Sequence, residues 1–148
     1  MPQSLAKVYL HIVFKTKNGV PLINDKIRNE LHSYIVGTIS KIGSYVNEIY
    51  ANPDHIHILC TLPRTITIAD LVLKIKASSS KWVKTKGILN FAWQRGYGVF
   101  SVSSSKVNVV ENYIKIQPQH HKKKLFKDEL REFFNEYNIE FDERYVWD

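Results

Sequence analysis

The strongest constraint on the fold is an apolar run at residues 55–62, which follows an Asn-Pro-Asp turn and carries two histidines one residue apart. Proline fixes φ and the flanking Asn and Asp bond their own backbone, so the run is predicted to be the second strand of a hairpin. Because side chains alternate along a strand, His55 and His57 lie on the same face of the sheet. Two neutral imidazoles so placed can chelate a divalent cation, although they need further ligands.

The segments around this hairpin alternate between strand-like and helical patterns. Apolar residues recur at helical spacing in two stretches, which begin at the candidate N-caps Asn24 and Thr67 and end before glycines. The predicted order is strand, helix, strand, strand, helix, strand, which is that of the α+β, ferredoxin-like (RRM-like) fold with helices packed on an antiparallel sheet. In chain order, these elements cover residues 7–14, 24–42, 44–51, 55–62, 67–86 and 97–102.

Two more helices are predicted after this core, at residues 106–117 and 122–137. Pro118 separates them, since proline cannot continue a helix, and the aromatic tail at 141–148 is expected to dock back. No repeat, linker or low-complexity tract indicates a second domain. Residues 1–148 are therefore predicted to form one domain, with 106–148 as its C-terminal helical extension.

The chain is basic, with 21 Lys and Arg against 14 Asp and Glu, a formal charge of +7 and a pI near 9.4. Such a surplus favours a polyanionic partner, and nucleic acid is the simplest one. Aromatic side chains in loops can stack on unpaired bases of that partner. The candidate phosphate-binding residues are Arg64, Lys74, Lys81, Lys84, Arg95, Lys115, Lys122, Lys123 and Lys124.

The single cysteine, Cys60, excludes an intramolecular disulfide and a cysteine-based zinc site, and it favours a reduced, intracellular protein. The N-terminus lacks a charged start followed by an apolar run and a small-residue cleavage site. No apolar stretch reaches the length of about 18 residues that a transmembrane helix needs. We therefore expect a soluble, cytoplasmic protein.

The helix predicted at residues 106–117 carries a second group of candidate residues. Tyr113 and Gln117 are four residues apart, so they lie on one helical face with Cβ atoms about 5 to 6 Å apart. An amide oxygen is an acceptable ligand for a hard divalent ion, and a phenol beside a metal-bound phosphate is a candidate nucleophile. From the helix alone, an ordinary core role for Tyr113 is the alternative.

The pairing of a strand His-x-His with a later helical Tyr-x-x-x-Gln resembles the single-tyrosine HUH transposases, which include the REP-associated tyrosine transposases. These are small enzymes of bacterial insertion sequences that move as single-stranded DNA. Other segments of the chain are similar to that family and occur in the same order. They are residues 13–17, 93–94, 96–103, 119–122 and 142–147.

This resemblance implies an activity and an active site. His55, His57 and Gln117 would be ligands of Mg²⁺ or Mn²⁺, and Tyr113 would be the nucleophile that forms a 5′-phosphotyrosine. The implied reaction is cleavage and rejoining of single-stranded DNA at the hairpin ends of an insertion sequence. The implied assembly is a homodimer, in which the tyrosine helix can reach the histidine pair of the other subunit.

Two further residues are candidates near this site. Asp54 is adjacent to His55 in the chain, so it can orient that imidazole through a hydrogen bond. His11 is the one polar residue of the first strand, which lies beside the histidine strand in a ferredoxin-like sheet. It can face the site, although packing within the core is the simpler interpretation.

Three alternatives stay open on the sequence. A non-catalytic nucleic-acid-binding module is one, because residues 95–102 begin like the RNP1 pattern of RNA-recognition domains. That stretch lacks the later aromatics of the pattern and falls in the fourth strand instead of the third. A relaxase or replication initiator is the second, but such enzymes usually carry a third histidine where Gln117 stands. A domesticated transposase retained for DNA binding would have the same residues.

Overall fold

The computed structural model describes residues 2–120 and 125–148. The elements are β1 (Tyr9–Lys15), α1 (Asp25–Lys41), β2 (Val46–Ala51), β3 (His55–Thr61), α2 (Ile68–Thr85) and β4 (Gly98–Val102), then α3 (Val107–Lys115), α4 (Gln117–His120) and α5 (Phe126–Glu136). The strands form an antiparallel sheet in the order β2-β3-β1-β4. This is the ferredoxin-like order, so the predicted fold class is confirmed. Within the two described ranges, no helix is long and apolar enough to cross a membrane.

Side-chain caps fix where α1 and α2 begin. The side-chain oxygen of Asn24 accepts hydrogen bonds from the N–H groups of Lys26 and Ile27, at 3.0 and 3.2 Å. Thr67 Oγ1 accepts one from the N–H of Asp70 at 3.0 Å. Each cap contributes about 1 kcal/mol to stability. Both predicted helix starts are confirmed.

The face of the sheet beneath α1 and α2 is the main apolar core. Alternate residues of β1 and β3 point into it, and each is at most 3% exposed. They pack against the buried stripes of the two helices. The main members are Leu10, Ile12, Phe14, Ile56, Ile58 and Cys60 from the sheet, with Leu31, Ile35, Ile39, Leu71 and Ile75 from the helices.

The opposite face of the same strands carries polar residues as well as apolar ones, and α3 and α5 cover it. Val13 of β1 packs with Phe126 and Leu130 of α5. Leu59 of β3 packs with Ile114 of α3. We call this surface the histidine face, defined by His11, Val13, Lys15, His55, His57 and Leu59.

The helix predicted at residues 106–117 is interrupted in the structure. α3 ends at Lys115, and α4 begins at Gln117. Pro118 occupies the first turn of α4, where its missing N–H needs no intrahelical partner, so the break falls before Gln117. The predicted start of the last helix at residue 122 lies outside the described residues, and α5 is described from Phe126.

The aromatic tail docks back as expected. The rings of Phe141 and Phe134 have centroids 4.7 Å apart, and Trp147 packs against the same cluster on α5. The N–H of Gly96 donates to the carbonyl of Asp148 at 2.8 Å. The tail therefore ties α5 to the loop that precedes β4.

Candidate active site

Both histidines of the predicted pair are buried on the histidine face. His55 is 1% exposed and His57 is 0% exposed, and their ring centroids are 5.2 Å apart. The N–H of Asn52 donates to the carbonyl of His55 at 2.8 Å, which closes the turn before β3. The hairpin thus fixes the backbone from which both imidazoles project.

Each of these histidines is held at its Nδ1 atom. His55 Nδ1 lies 2.7 Å from Asp54 Oδ1, so Asp54 contacts the imidazole that it was predicted to orient. His57 Nδ1 lies 2.8 Å from Nε2 of His11, which also stacks on His57 with centroids 5.1 Å apart. His11 is therefore buried in the protein and also contacts the site through His57. Both Nε2 atoms face the carboxylate of Glu129.

His11 is held in its neutral form. Burial keeps its pKa well below the ordinary value, and the neighbouring His57 acts in the same direction. A neutral imidazole has one N–H donor and one acceptor nitrogen, so His11 can either donate to His57 Nδ1 or accept from it. Its tautomer is therefore linked to that of His57.

Glu129 of α5 completes this cluster, and sequence reasoning missed it. Its Oε1 lies 2.8 Å from His57 Nε2 and 3.9 Å from His55 Nε2, and the residue is 2% exposed. The three donor atoms lie within 4.8 Å of one another. A sequence signal did exist, because Glu129 stands three residues after Phe126 and four before Phe133, on the apolar stripe of an amphipathic helix.

Tyr113 of α3 lies beside the histidines. Its ring centroid is 5.6 Å from that of His57 and 6.1 Å from that of His11. Burial raises the pKa of the phenol first, and the carboxylate of Glu129, which is hydrogen-bonded to it, raises that pKa further. A hydrogen bond with Gln117 acts in the opposite direction. Tyr113 is therefore protonated at neutral pH.

Gln117 is buried in the same pocket but reaches the histidines through Asn52. Asn52 Nδ2 donates to Gln117 Oε1 at 3.2 Å and lies 3.1 Å from His55 Nε2. Gln117 Nε2 donates to the carbonyl of Tyr113 at 3.3 Å. The side-chain amide of Asn52 thus lies between Gln117 and His55. The role of Gln117 as a metal ligand stays a prediction.

Lys15 is a second residue of the site that the sequence analysis missed. It stands opposite His55 in the β1–β3 register and is 6% exposed. Burial lowers the pKa of its ammonium group, as does Lys127, whereas the carboxylates of Asp148 and Asp54 raise it. A cation fixed at this point can stabilise negative charge on a phosphate.

The donor atoms gathered here fit a divalent cation. Two imidazole nitrogens and a carboxylate oxygen converge in a buried pocket, with an amide oxygen close by. Imidazole and carboxylate together suit Mn²⁺ and other first-row divalent ions, whereas oxygen ligands suit Mg²⁺. A carboxylate buried at this depth also loses hydration, and a bound cation would offset that loss.

A family model matches most of the chain. The model of the IS200-like transposases covers residues 4–117, which include the histidine pair, Tyr113 and Gln117. The chain belongs to the IS200-like transposase family. The matched region ends before α5, so Glu129 lies outside it. No curated protein matches this transposase significantly.

Solved structures share the fold of this transposase. A protein assigned as a transposase in Deinococcus radiodurans R1 is 20% identical with a TM-score of 0.62, and the match covers 79% of this chain and 98% of that one. A REP-associated tyrosine transposase, solved bound to a REP hairpin, is 18% identical with a TM-score of 0.61, over 82% of this chain and 73% of that one. At these identities, the likeness establishes the fold alone.

The basic residues predicted to bind DNA do not form one surface. Three of them are on α2, which covers the apolar core, so they lie on the far side of the sheet from the histidine face. Lys115 is on α3 and lies 3.8 Å from Glu48. Lys122, Lys123 and Lys124 lie outside the described residues. The six in the described part are all exposed: Arg64, Lys74, Lys81, Lys84, Arg95 and Lys115.

Proposed function

We propose that this transposase cleaves and rejoins single-stranded DNA, with Tyr113 as the nucleophile and with a divalent cation held by His55 and His57. The proximity of Tyr113 to the buried histidine pair supports this most directly, with ring centroids of Tyr113 and His57 5.6 Å apart. Titratable groups buried together with shifted pKa values are typical of functional sites. Membership of the IS200-like transposase family supports the same conclusion.

In the proposed reaction, the Tyr113 oxygen attacks a backbone phosphorus atom, and the bond from phosphorus to the 3′ oxygen breaks. The phenol loses its proton and the departing 3′ oxygen gains one, so the products are a 5′-phosphotyrosine and a free 3′ hydroxyl. When bound, the cation would polarise the phosphate and fix it in line with the phenol. Lys15 adds positive charge beside His55. Because the ester retains the bond energy, the 3′ hydroxyl of another strand can reverse the step and join.

Mg²⁺ or Mn²⁺ is the proposed cation. Phosphate oxygens suit both ions, whereas two imidazole ligands favour Mn²⁺. The resemblance to single-tyrosine HUH transposases implies Gln117 as the third protein ligand. Asp54 and His11 would act as positioning residues, because each holds the Nδ1 atom of a ligand histidine.

The proposed substrate is a single strand folded into a hairpin at the end of an insertion sequence. The REP-associated structural neighbour was solved with a REP hairpin, and the formal charge of +7 on this chain favours a polyanion. Each chain has one proposed nucleophile, Tyr113, which would act on one strand end. Joining two ends would therefore require a homodimer. Since Tyr113 already lies beside His57 of its own chain, sharing sites between subunits would require an exchange of α3.

The direct test is formation of a covalent protein–DNA adduct. The full chain is incubated with hairpin oligonucleotides taken from the flanks of its own gene, with Mn²⁺ or Mg²⁺, and resolved on a denaturing gel. We expect an adduct that Tyr113→Phe and EDTA both abolish. Tyr45→Phe is the matched control, because Tyr45 is 66% exposed. Hairpin binding without an adduct in either metal would replace this proposal with a non-catalytic DNA-binding function.

A further inference from the structure

The carboxylate of Glu129 contacts the histidine pair directly, whereas the side-chain oxygen of Gln117 is bonded to Asn52. Glu129 Oε1 lies 2.8 Å from His57 Nε2 and 3.9 Å from His55 Nε2. Two adjacent ligands of a six-coordinate ion, with bonds of about 2.1 Å, are about 3 Å apart. The separation of Glu129 from His57 is therefore already that of two ligands sharing one ion.

The amide of Gln117 is hydrogen-bonded at both ends. Its Oε1 accepts from Asn52 Nδ2 at 3.2 Å, and its Nε2 donates to the carbonyl of Tyr113 at 3.3 Å. These bonds tie the end of α3 to the turn that precedes the histidine strand. Recruiting the Gln117 oxygen to a cation would compete with the bond to Asn52. Glu129 is hydrogen-bonded to the Tyr113 phenol, but its Oε1 already lies 2.8 Å from His57 Nε2.

The packing of α5 explains how a carboxylate is held at this depth. Phe126, one turn before Glu129, lies with its ring centroid 4.5 Å from that of His55. Phe133, one turn after it, lies 5.3 Å from the ring of His11. Both aromatic rings thus contact histidines of the site, and the backbone between them is fixed. Burying a carboxylate lowers stability through lost hydration, unless a cation or strong hydrogen bonds offset that loss.

We propose that Glu129 is the third protein ligand of the cation and that Gln117 is a positioning residue, which holds Asn52 against His55. This inference rests on the proposed function, because it takes the histidine pair to be a metal site. A carboxylate ligand places a negative charge beside the ion, which an amide does not. It also makes the docking of α5 on the histidine face depend on the cation.

The test measures Mn²⁺ binding to the full chain without DNA, by isothermal titration calorimetry. We expect Glu129→Gln to weaken binding at least about 100-fold, because a ligand is lost, and Gln117→Met to weaken it only about tenfold, because it acts through Asn52. Glu136→Gln makes the same change at an exposed position of the same helix, and it should bind like the wild type. Mn²⁺ should also slow hydrogen exchange of the α5 amides in the wild type, and should do so less in Glu129→Gln.

Other results would contradict either the role of Glu129 or the proposed metal site. If Gln117→Met loses Mn²⁺ binding and Glu129→Gln keeps it, the inference is overturned while the proposed metal site stands. Tighter binding by Glu129→Gln would also overturn it, because the carboxylate would then be blocking the site. If the folded wild type binds no Mn²⁺, the metal site of the proposed function fails as well. Circular dichroism checks folding, and Glu129→Asp, expected to weaken binding too, replaces Glu129→Gln should that variant not fold.

Discussion

The two faces of the sheet are built from the same strands but differ in what they bury. Between β3 and the helices α1 and α2, the inward side chains are Ile56, Ile58 and Cys60, all apolar or weakly polar. On the histidine face, the same strand buries His55 and His57. Burial of polar groups lowers the stability of the fold unless they are fully hydrogen-bonded. A cluster of buried polar side chains is therefore retained for a reason other than stability. The comparison indicates that folding free energy comes mainly from the first face, whereas the second face holds the residues of the proposed reaction.

Two adjacent residues of β3 offer the strongest test of this contrast. Ile58→Ala leaves a cavity in the apolar core. It should lower the free energy of unfolding, measured by urea denaturation, by about 3 kcal/mol. His57→Ala should cost less stability yet reduce Mn²⁺-dependent adduct formation at least about 100-fold, since a ligand is lost. If His57→Ala destabilises the fold as much as Ile58→Ala and leaves the adduct intact, the histidine face is structural and the comparison fails.

Much of the apolar face was predictable because its signals are local. The helical spacing of Ile27, Leu31, Ile35 and Ile39 and the cap at Asn24 are written within one segment, and the structure buries those residues. The element order then leaves few topologies, of which the ferredoxin-like sheet is one. In the four strands and in α1 and α2, only the ends differ from the prediction, by one or two residues. Such shifts are expected because hydrogen bonding decides the last residue of an element.

The histidine face was predictable only in part. His55 and His57 lie in one short strand, so their common face follows from alternation alone. The approach of Tyr113 to them was implied by family resemblance, not by local pattern. Glu129 and Lys15 were missed because their proximity to the histidines depends on how α5 and β1 pack in three dimensions. A charged residue on an apolar helical stripe was the one local indication.

A histidine of α1 provides a structural counterpart to the histidines of the site. His32 Nε2 accepts a hydrogen bond from the N–H of Ala51 at 2.8 Å. Burial, assisted by the nearby charge of Arg28, lowers its pKa to about 4. In the unfolded chain the pKa is about 6.5, so the unfolded state takes up the proton first as the pH falls. The contribution of His32 is therefore complete above about pH 6.5 and is lost between about pH 6.5 and 4.

We expect this acid loss of stability to amount to about 2 kcal/mol, after a discount for the partial exposure of His32. The measurement is urea unfolding at several pH values from about 7 to 4.5 without metal. His32→Gln keeps an acceptor for Ala51 but cannot take up a proton, so its stability should fall less over this range. An identical pH dependence in wild type and variant would assign the acid sensitivity to the histidine face instead.

A smaller effect is expected at Lys15, where the histidine face keeps a buried cation. Lys15→Met removes the charge but preserves the length of the side chain, so stability should stay nearly unchanged while the rate of adduct formation falls about tenfold. Lys17→Met is the matched control, because Lys17 is exposed two residues later. Lys15→Arg should recover part of the rate. Equal rates in the Lys15→Met and Lys17→Met variants would remove Lys15 from the proposed mechanism.

The smallest effect is expected on the far side of the sheet, at Lys74, Lys81 and Lys84 of α2. If the hairpin stem contacts α2, each Lys→Ala change should reduce the slope of log affinity against log salt by about 1, measured by fluorescence anisotropy. The adduct-forming rate at saturating DNA should not change, because these lysines lie behind the apolar core. An unchanged slope in the triple variant would confine DNA to the histidine side. A slower rate at saturating DNA would instead show that the two faces act together, since a lysine remote from Tyr113 can affect its attack only by changing where the strand lies.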